Sequence, residues 1–300
     1  MTHAACPLVL TGSEDGCATL WNASGEPLTK TPHDSPLHSV CFCPCIDACC
    51  SSSLDGTVIV WDYSGLEKGR VRHGHGVRAV CWGEGNVWSG DLSGKVKCSL
   101  PDGKEISDWQ AHSTGVIALA FTAALRPTVV TGAKDGKATS WDCEILQELC
   151  TLSGDSHAVN SLAACGPLLV AGGVEAVVRV FDLRSEALVI SFGSGTNWSK
   201  ALQNTSHVAR AAEMVHASEG HAFAVTGVCF ISASLVASSG ADRKVCIWDI
   251  RQPLRPVQCL GHELAALNVA STQGRVFSSS DDMSVREWSL EGQCLDVLHS

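Results

Sequence analysis

Three groups of residues in this chain could do chemistry. The first recurs as a set: His33, Ser51 and Asp55; His112, Thr131 and Asp135; His221, Ser238 and Asp242; His262, Ser278 and Asp282. Imidazole, hydroxyl and carboxylate are the parts of a nucleophilic triad, in which the base takes the hydroxyl proton and the acid orients the base. The second group is five cysteines, Cys41, Cys43, Cys45, Cys49 and Cys50. Thiolates at suitable spacing hold zinc, and exposed thiols are oxidised. The third is a pair of Asp-x-Arg sequences, Asp182 to Arg184 and Asp249 to Arg251. The planar guanidinium, with its rigid fork of donors, suits interface contacts.

The pattern of each group limits what it does. An enzyme needs one site, and four copies of one set at matching positions read as architecture. No asymmetric cluster of nucleophile, base and acid stands apart from the repetition. The chain is therefore read as a non-enzyme, with no catalytic residue and no cofactor. The cysteine spacing is not the paired C-x₂₋₄-C arrangement of structural zinc sites. Neighbouring strand residues also point to opposite faces, so the thiols do not all converge. No metal is expected there, and the cysteines are read as packed or redox-sensitive thiols.

The elements that position these residues follow from spacing. Each hydroxyl is followed ten residues later by a tryptophan: Ser51 by Trp61, Thr131 by Trp141, Ser238 by Trp248 and Ser278 by Trp288. Seven anchors, Trp21, Trp61, Ser99, Trp141, Phe181, Trp248 and Trp288, are spaced by 40, 38, 42, 40, 67 and 40 residues. A period near 40 marks a repeat architecture. Each unit opens with His and continues with an alternating apolar strand and a strand ending in Ser or Thr. An Asp-Gly-type turn, a strand ending in Trp-Asp and a short fourth strand complete it. Four such strands make one antiparallel sheet. A single sheet cannot bury both faces, so neighbours must stack, and radial stacking gives a β-propeller.

On these residues the chain resembles the WD-repeat family. The resemblance spans nearly the whole sequence. It implies an all-β fold: one seven-bladed propeller of four-stranded antiparallel blades over residues 1–300. It also implies that His, Ser/Thr, Asp and Trp of a blade form one hydrogen-bonded chain. The departures are specific. Blade three keeps His73 and Ser89 but has Ser93 at the turn and Ser99 at the Trp position. Blade five has Asp155, Ala171, Glu175 and Phe181 at the four positions. Blade one has Thr11, Asp15 and Trp21, while its innermost strand would precede Met1. Residues 293–298 read as the outer strand of blade seven, so the family's usual closure by the N-terminus looks replaced.

The interval of 67 holds an insertion over residues 193–219. Its segment from Ser206, a candidate N-cap, to His216 is rich in helix formers and predicts a short helix. The insertion falls on the face that carries the Asp-Gly turns. Leu54 and Leu92 occupy the place before the turn position (Asp55 and Ser93) on adjacent blades, which makes that face a candidate partner surface. The competing reading is that both leucines tuck into neighbouring loops. On the opposite face, Asp182, Arg184, Asp249 and Arg251 resemble the motif by which WD-repeat substrate receptors dock on the adaptor of cullin-4 ubiquitin ligases. A cullin-4 ligase adaptor is thus one candidate partner.

Composition sets the remaining bounds. Hydrophobic residues are 45% of the chain and charged residues 17%, which suits a large β core. The net charge of −10 disfavours nucleic acid as a direct ligand, since that needs a basic face. No apolar run is long enough to span a membrane, and no signal peptide is evident. Many of the 16 cysteines fall in strands, as free thiols would in a reducing compartment. The expectation is an intracellular protein, cytoplasmic or nuclear, that binds other proteins or peptides.

Overall fold

The computed structural model describes residues 8–299, apart from 23–24, 154–156, 194–213, 217–219, 253–254 and 273. The alternation of apolar residues becomes seven antiparallel sheets in chain order, the blades of an all-β, seven-bladed propeller. Blade two shows the plan, with strands Leu37–Cys43, Ala48–Ser53, Thr57–Asp62 and Glu67–Arg72, each pairing with the next. Blade one has three strands among the described residues, Val9–Gly12, Cys17–Trp21 and Pro27–Pro32. Its first strand carries Thr11 and is equivalent to the second strand of blade two, as expected. In blade seven, Cys294–His299 pairs with Ser284–Trp288 as the fourth strand, also as expected.

The chain divides into two compact units, Met1–Leu119 and Ala120–Ser300. In the first unit, the valines of blade two pack on those of blade three in a layer that includes Cys43, Cys50, Val58, Val77 and Val87. In the second, Val170, Val180 and Phe192 of blade five meet Val225, Val236 and Trp248 of blade six. These layers are rich in β-branched side chains, which pack well on pleated surfaces. A bulge where the third strand meets the fourth recurs at Leu20/Trp21, Val60/Trp61, Cys98/Ser99, Val180/Phe181 and Glu287/Trp288. It persists where Ser99 or Phe181 replaces Trp, so it belongs to the blade's twist and not to the indole.

The insertion departs from expectation where it is described. Met214–His216 is a strand, not the end of a helix, and it pairs in parallel with the fourth strand of blade five, Ala187–Gly193. An unpaired sheet edge presents a row of backbone donors and acceptors, and pairing satisfies them better than local helix propensity does. The rest of the predicted helix, residues 206–213, lies outside the described residues.

Candidate functional site

The ten-residue spacing of hydroxyl and Trp is a consequence of register. In blade six Ser238 pairs with Cys246 and Val236 with Trp248, across the turn around Asp242. Ser238 and Trp248 are therefore diagonal neighbours on one face, within reach of an indole. Trp248 Nε1 donates to Ser238 Oγ at 2.7 Å. Ser238 Oγ lies 2.8 Å from His221 Nε2, and His221 Nδ1 lies 2.9 Å from Asp242 Oδ1. The indole can only donate, so the hydroxyl proton goes to Nε2, and Nδ1–H is left for the carboxylate. Blade seven repeats this: Trp288 Nε1 to Ser278 Oγ 2.8 Å, Ser278 Oγ to His262 Nε2 2.6 Å, His262 Nδ1 to Asp282 Oδ2 3.2 Å.

The other blades vary. Blade two joins His33 to Ser51 at 2.8 Å and to Asp55 at 3.2 Å, but the buried Trp61 Nε1 has no hydrogen-bond partner. The expected four-membered chain is thus three-membered there, since the indole does not reach the Ser51 hydroxyl. In blade four Trp141 Nε1 donates to Thr131 Oγ1 at 3.0 Å, His112 is buried, and Asp135 accepts from the Lys137 backbone N–H at 3.1 Å.

Two substitutes were not legible from the template. In blade three the carboxylate beside His73 is Asp91, not a residue at position 93: His73 Nδ1 to Asp91 Oδ2 is 3.1 Å and His73 Nε2 to Ser89 Oγ is 2.8 Å. Ser93 donates its backbone N–H and its hydroxyl to Asp91, closing the turn. The signal was an Asp two residues after the repeat Ser. In blade five Asp155 lies outside the described residues. His157 pairs with Glu175 at 2.5 Å, and Glu175 also binds the buried Arg179 at 2.7 Å. A cluster centred on Glu175 thus takes the place of the hydroxyl–imidazole–carboxylate chain.

These sets are not catalytic triads in geometry. Ser51, Ser238 and Ser278 are buried, and in blades six and seven the hydroxyl also accepts from the indole. Burial holds the His33, His73 and His262 imidazoles below the ordinary value of 6.5, although their Asp partners oppose this. Burial also works to raise the Asp55, Asp91 and Asp242 carboxyls, but hydrogen bonds from Thr57, Ser93 and His221 respectively outweigh it and hold them below 3.8. The folded protein keeps these imidazoles neutral, so the unfolded chain binds more protons as pH falls. Stability is fully present above about pH 6.5 and is lost as pH falls toward the lower folded values. The carboxylates add a second loss below about pH 4. The melting temperature is expected to fall as the buffer is taken from about pH 7.5 to about pH 5.5. A rise would contradict the neutral chain.

The cysteine cluster splits across two faces. Cys41 and Cys50 are register partners and hydrogen-bond with Cys43 on the face toward blade three. Cys49 packs with Ile59 and Trp61 on the other face, where burial pushes its thiol up to about 12. Cys45 is exposed in the short 3-10 turn Pro44–Ile46. Among the described residues no group of His, Cys, Asp or Glu is arranged to hold a metal ion.

Surface candidates fall on both sets of loops. Leu54 is 38% exposed and Leu92 is half-buried. Their turns lie against Gly76 and Gly115, in the loops that lead into the following blades. Sequence reading missed three more exposed apolar residues, Phe223, Leu264 and Met283, of which Phe223 is 64% and Met283 71% exposed. Phe223 and Leu264 each sit two residues after a repeat His, a signal the template contained. Leu264 and Met283 flank one junction, where Glu263 N–H donates to Asp282 and Asp281 N–H donates to the Ala265 carbonyl. Thr226 Oγ1 donates to the Ala266 carbonyl at 2.6 Å and ties the first strands of blades six and seven together.

On the third-to-fourth-strand turns, Asp182 accepts from Arg184 Nε at 3.0 Å and from its terminal nitrogen at 2.5 Å. Asp249 accepts from Arg251 at 2.9 and 2.7 Å. The side chains of Arg184 and Arg251 remain 59% and 70% exposed. Each guanidinium is pinned by its own turn on successive blades.

Seven sheets on one repeated hairpin register, most of them with a Ser/Thr–Trp pair and several with a His–Asp pair bracing the turn, define a repeat β-propeller. The WD domain, G-beta repeat family model matches residues 25–62 and 212–249. The chain is 27% identical to nuclear distribution protein PAC1 of Arthroderma otae over 292 residues, covering 89% of this chain and 62% of that protein. It is 24% identical to F-box/WD repeat-containing protein 9 of Homo sapiens, covering 81% of this chain and 59% of that one. A crystal structure of the computationally designed Ika8 protein superposes with a TM-score of 0.71 at 26% identity, covering 97% of this chain and 83% of that one. Two of its repeats thus match the WD-repeat model, and over most of its length the chain is similar to WD-repeat proteins. It spans about three fifths of the length of the curated relatives it matches. Among the described residues no helix is long and apolar enough to cross a membrane.

Proposed function

We propose that the protein is a non-catalytic scaffold that binds another protein or peptide on the turn-bearing loops of blades six and seven. The observation that carries this reading is the exposure of Phe223, Leu264 and Met283 on loops braced by side-chain-to-backbone hydrogen bonds. Large apolar side chains exposed together on a rigid frame mark interaction sites. Leu54 and Leu92 extend the same kind of surface in blades two and three, but their packing on Gly76 and Gly115 makes them the weaker contacts. An intracellular, cytoplasmic or nuclear setting fits the described cysteines, which form no disulfide with one another.

The test is affinity capture with a tagged chain, followed by mass spectrometry. Replacing Phe223, Leu264 and Met283 with Ser should weaken the principal partner's binding at least about tenfold, as the loss of an apolar hot spot does, without lowering the melting temperature. Replacing Leu54 and Leu92 with Ser should have the smaller effect. An unchanged partner set in the first variant sinks this surface.

A second reading is favoured by the pinned arginines. The pairs Asp182–Arg184 and Asp249–Arg251 are a rigid, repeated guanidinium display, suited to docking on a cullin-4 ligase adaptor. The likeness to an F-box/WD repeat protein is consistent with a ligase-linked role. Arg184→Ala with Arg251→Ala should abolish co-purification of the adaptor. Retention of the adaptor by the double variant, or its absence from the wild-type capture, removes this reading.

A further inference from the structure

We propose that Cys246 and Cys259 form a redox-active dithiol in blade six, which peroxide converts to a cross-strand disulfide. Cys246 lies on the third strand, Lys244–Asp249, and Cys259 on the fourth, Gln258–Gly261, where they are directly paired in the ladder. Their sulfurs are 3.6 Å apart. Cys246 is buried and Cys259 is exposed. Antiparallel partners have Cα atoms about 4.5–5.5 Å apart, inside the range a disulfide spans. Side-chain rotation alone therefore closes the remaining gap of about 1.5 Å to a bond of about 2.05 Å.

The repeat shows that this position is where the two strands interact through side chains. In blade four the equivalent residues are Thr139 and Thr151, whose hydroxyls hydrogen-bond at 3.1 Å. Blade six places two thiols there instead. The Cys41, Cys43 and Cys50 group differs in that both Cys43 and Cys50 are buried and only Cys41 is partly open. In the blade-six pair one sulfur meets solvent and its partner is shielded directly behind it. That is the arrangement of an attacking thiol with a resolving thiol.

The reaction takes two steps. The Cys259 sulfur attacks one oxygen of hydrogen peroxide and the O–O bond breaks. Cys259 becomes a sulfenic acid, oxidised by two electrons, and the other oxygen leaves as water with the thiol proton. The Cys246 sulfur then attacks the sulfenic sulfur. The S–S bond forms, the S–O bond breaks, and the hydroxyl leaves as a second water with the Cys246 proton. The bridge would close a loop that contains Asp249 and Arg251. The dithiol chemistry stands independently of any docking role for that loop.

Trypsin separates the two cysteines, because Arg251 lies between them and Lys244 precedes Cys246. The full reduced chain, treated with hydrogen peroxide, alkylated and digested without reductant, is expected to yield a Cys246–Cys259 cross-linked peptide that dithiothreitol removes. The oxidised chain should melt several degrees higher, and the gain should vanish on reduction. In Cys246→Ser, dimedone should trap a sulfenic acid on Cys259. Cys259→Ser, at an exposed position, should abolish the cross-link and leave Cys246 alkylatable. The proposal is overturned if peroxide leaves both thiols alkylatable in the wild type. It is equally overturned if Cys259 passes to the sulfinic acid with no cross-link, a result that needs neither variant to fold.

Discussion

Trp248→Ala is expected to lower unfolding stability by about 3–5 kcal/mol, near the upper range for a single core substitution. Trp248 is fully buried and stacks on Phe192 of the preceding blade, with centroids 4.9 Å apart and planes 23° apart. Truncation therefore opens a cavity in the layer between blades five and six. It also removes the indole N–H from Ser238, which braces His221 and the turn. Phenylalanine separates the two contributions. Trp248→Phe keeps an aromatic ring on Phe192 and loses the donor, at a cost of about 1–2 kcal/mol beyond the volume change. Trp61→Phe loses an N–H that has no partner, so its cost should come from volume alone. Urea midpoints at unchanged slope measure all three. Equal losses for the two Phe variants would show that the hydrogen-bonded chain adds nothing.

Gly69→Ala should destabilise the protein by about 2–3 kcal/mol, at the high end for a single added methyl. Gly69 lies in the fourth strand of blade two, and a Cβ there would sit 2.3–2.5 Å from backbone atoms of Pro101, Asp102 and Gly103. No rotamer change relieves a clash with backbone, so the blade-three turn must move as a body. Gly85→Ala is the contrast: no atom lies within 4 Å of its added Cβ, and only its φ of +79° opposes the change. That cost is about 1–2 kcal/mol. Thermal unfolding should rank Gly69→Ala below Gly85→Ala, and the reverse order would place the blade contact elsewhere.

The strands were legible because each blade repeats one register. A hydroxyl ten residues before a Trp can only be the two sides of a tight hairpin, and the His and Asp bracket that hairpin at its turn. In blades six and seven the indole, hydroxyl, imidazole and carboxylate meet around that hairpin. In blade three the template left the carboxylate unassigned, because a template matches positions, whereas a carboxylate binds an imidazole from wherever the backbone lets it reach. Asp91, two residues before the expected turn position, reaches His73 as well as a turn Asp would. The cluster of His157, Glu175 and Arg179 was hidden for the same reason.

Exposure was less legible than registration. Leu54 and Leu92 attracted attention as apolar turn residues, yet their availability depends on Gly76 and Gly115 in the following blades. Phe223 and Leu264 occupy a repeat position that the template left unread, and the strands that follow them are joined by the Thr226 bond to Ala266. The Met214–His216 segment went to a sheet edge because edge hydrogen bonds outweigh local propensity, and propensity is all a short segment shows by itself.

The sequence by itself determined the number of blades and the strand order, since local spacing and period carry that information. Only the tertiary structure decided which indole is hydrogen-bonded, which leucine is covered, which glycine tolerates no side chain and which two thiols meet at 3.6 Å. Those outcomes depend on atoms contributed by neighbouring strands and blades, at distances no one-dimensional spacing encodes.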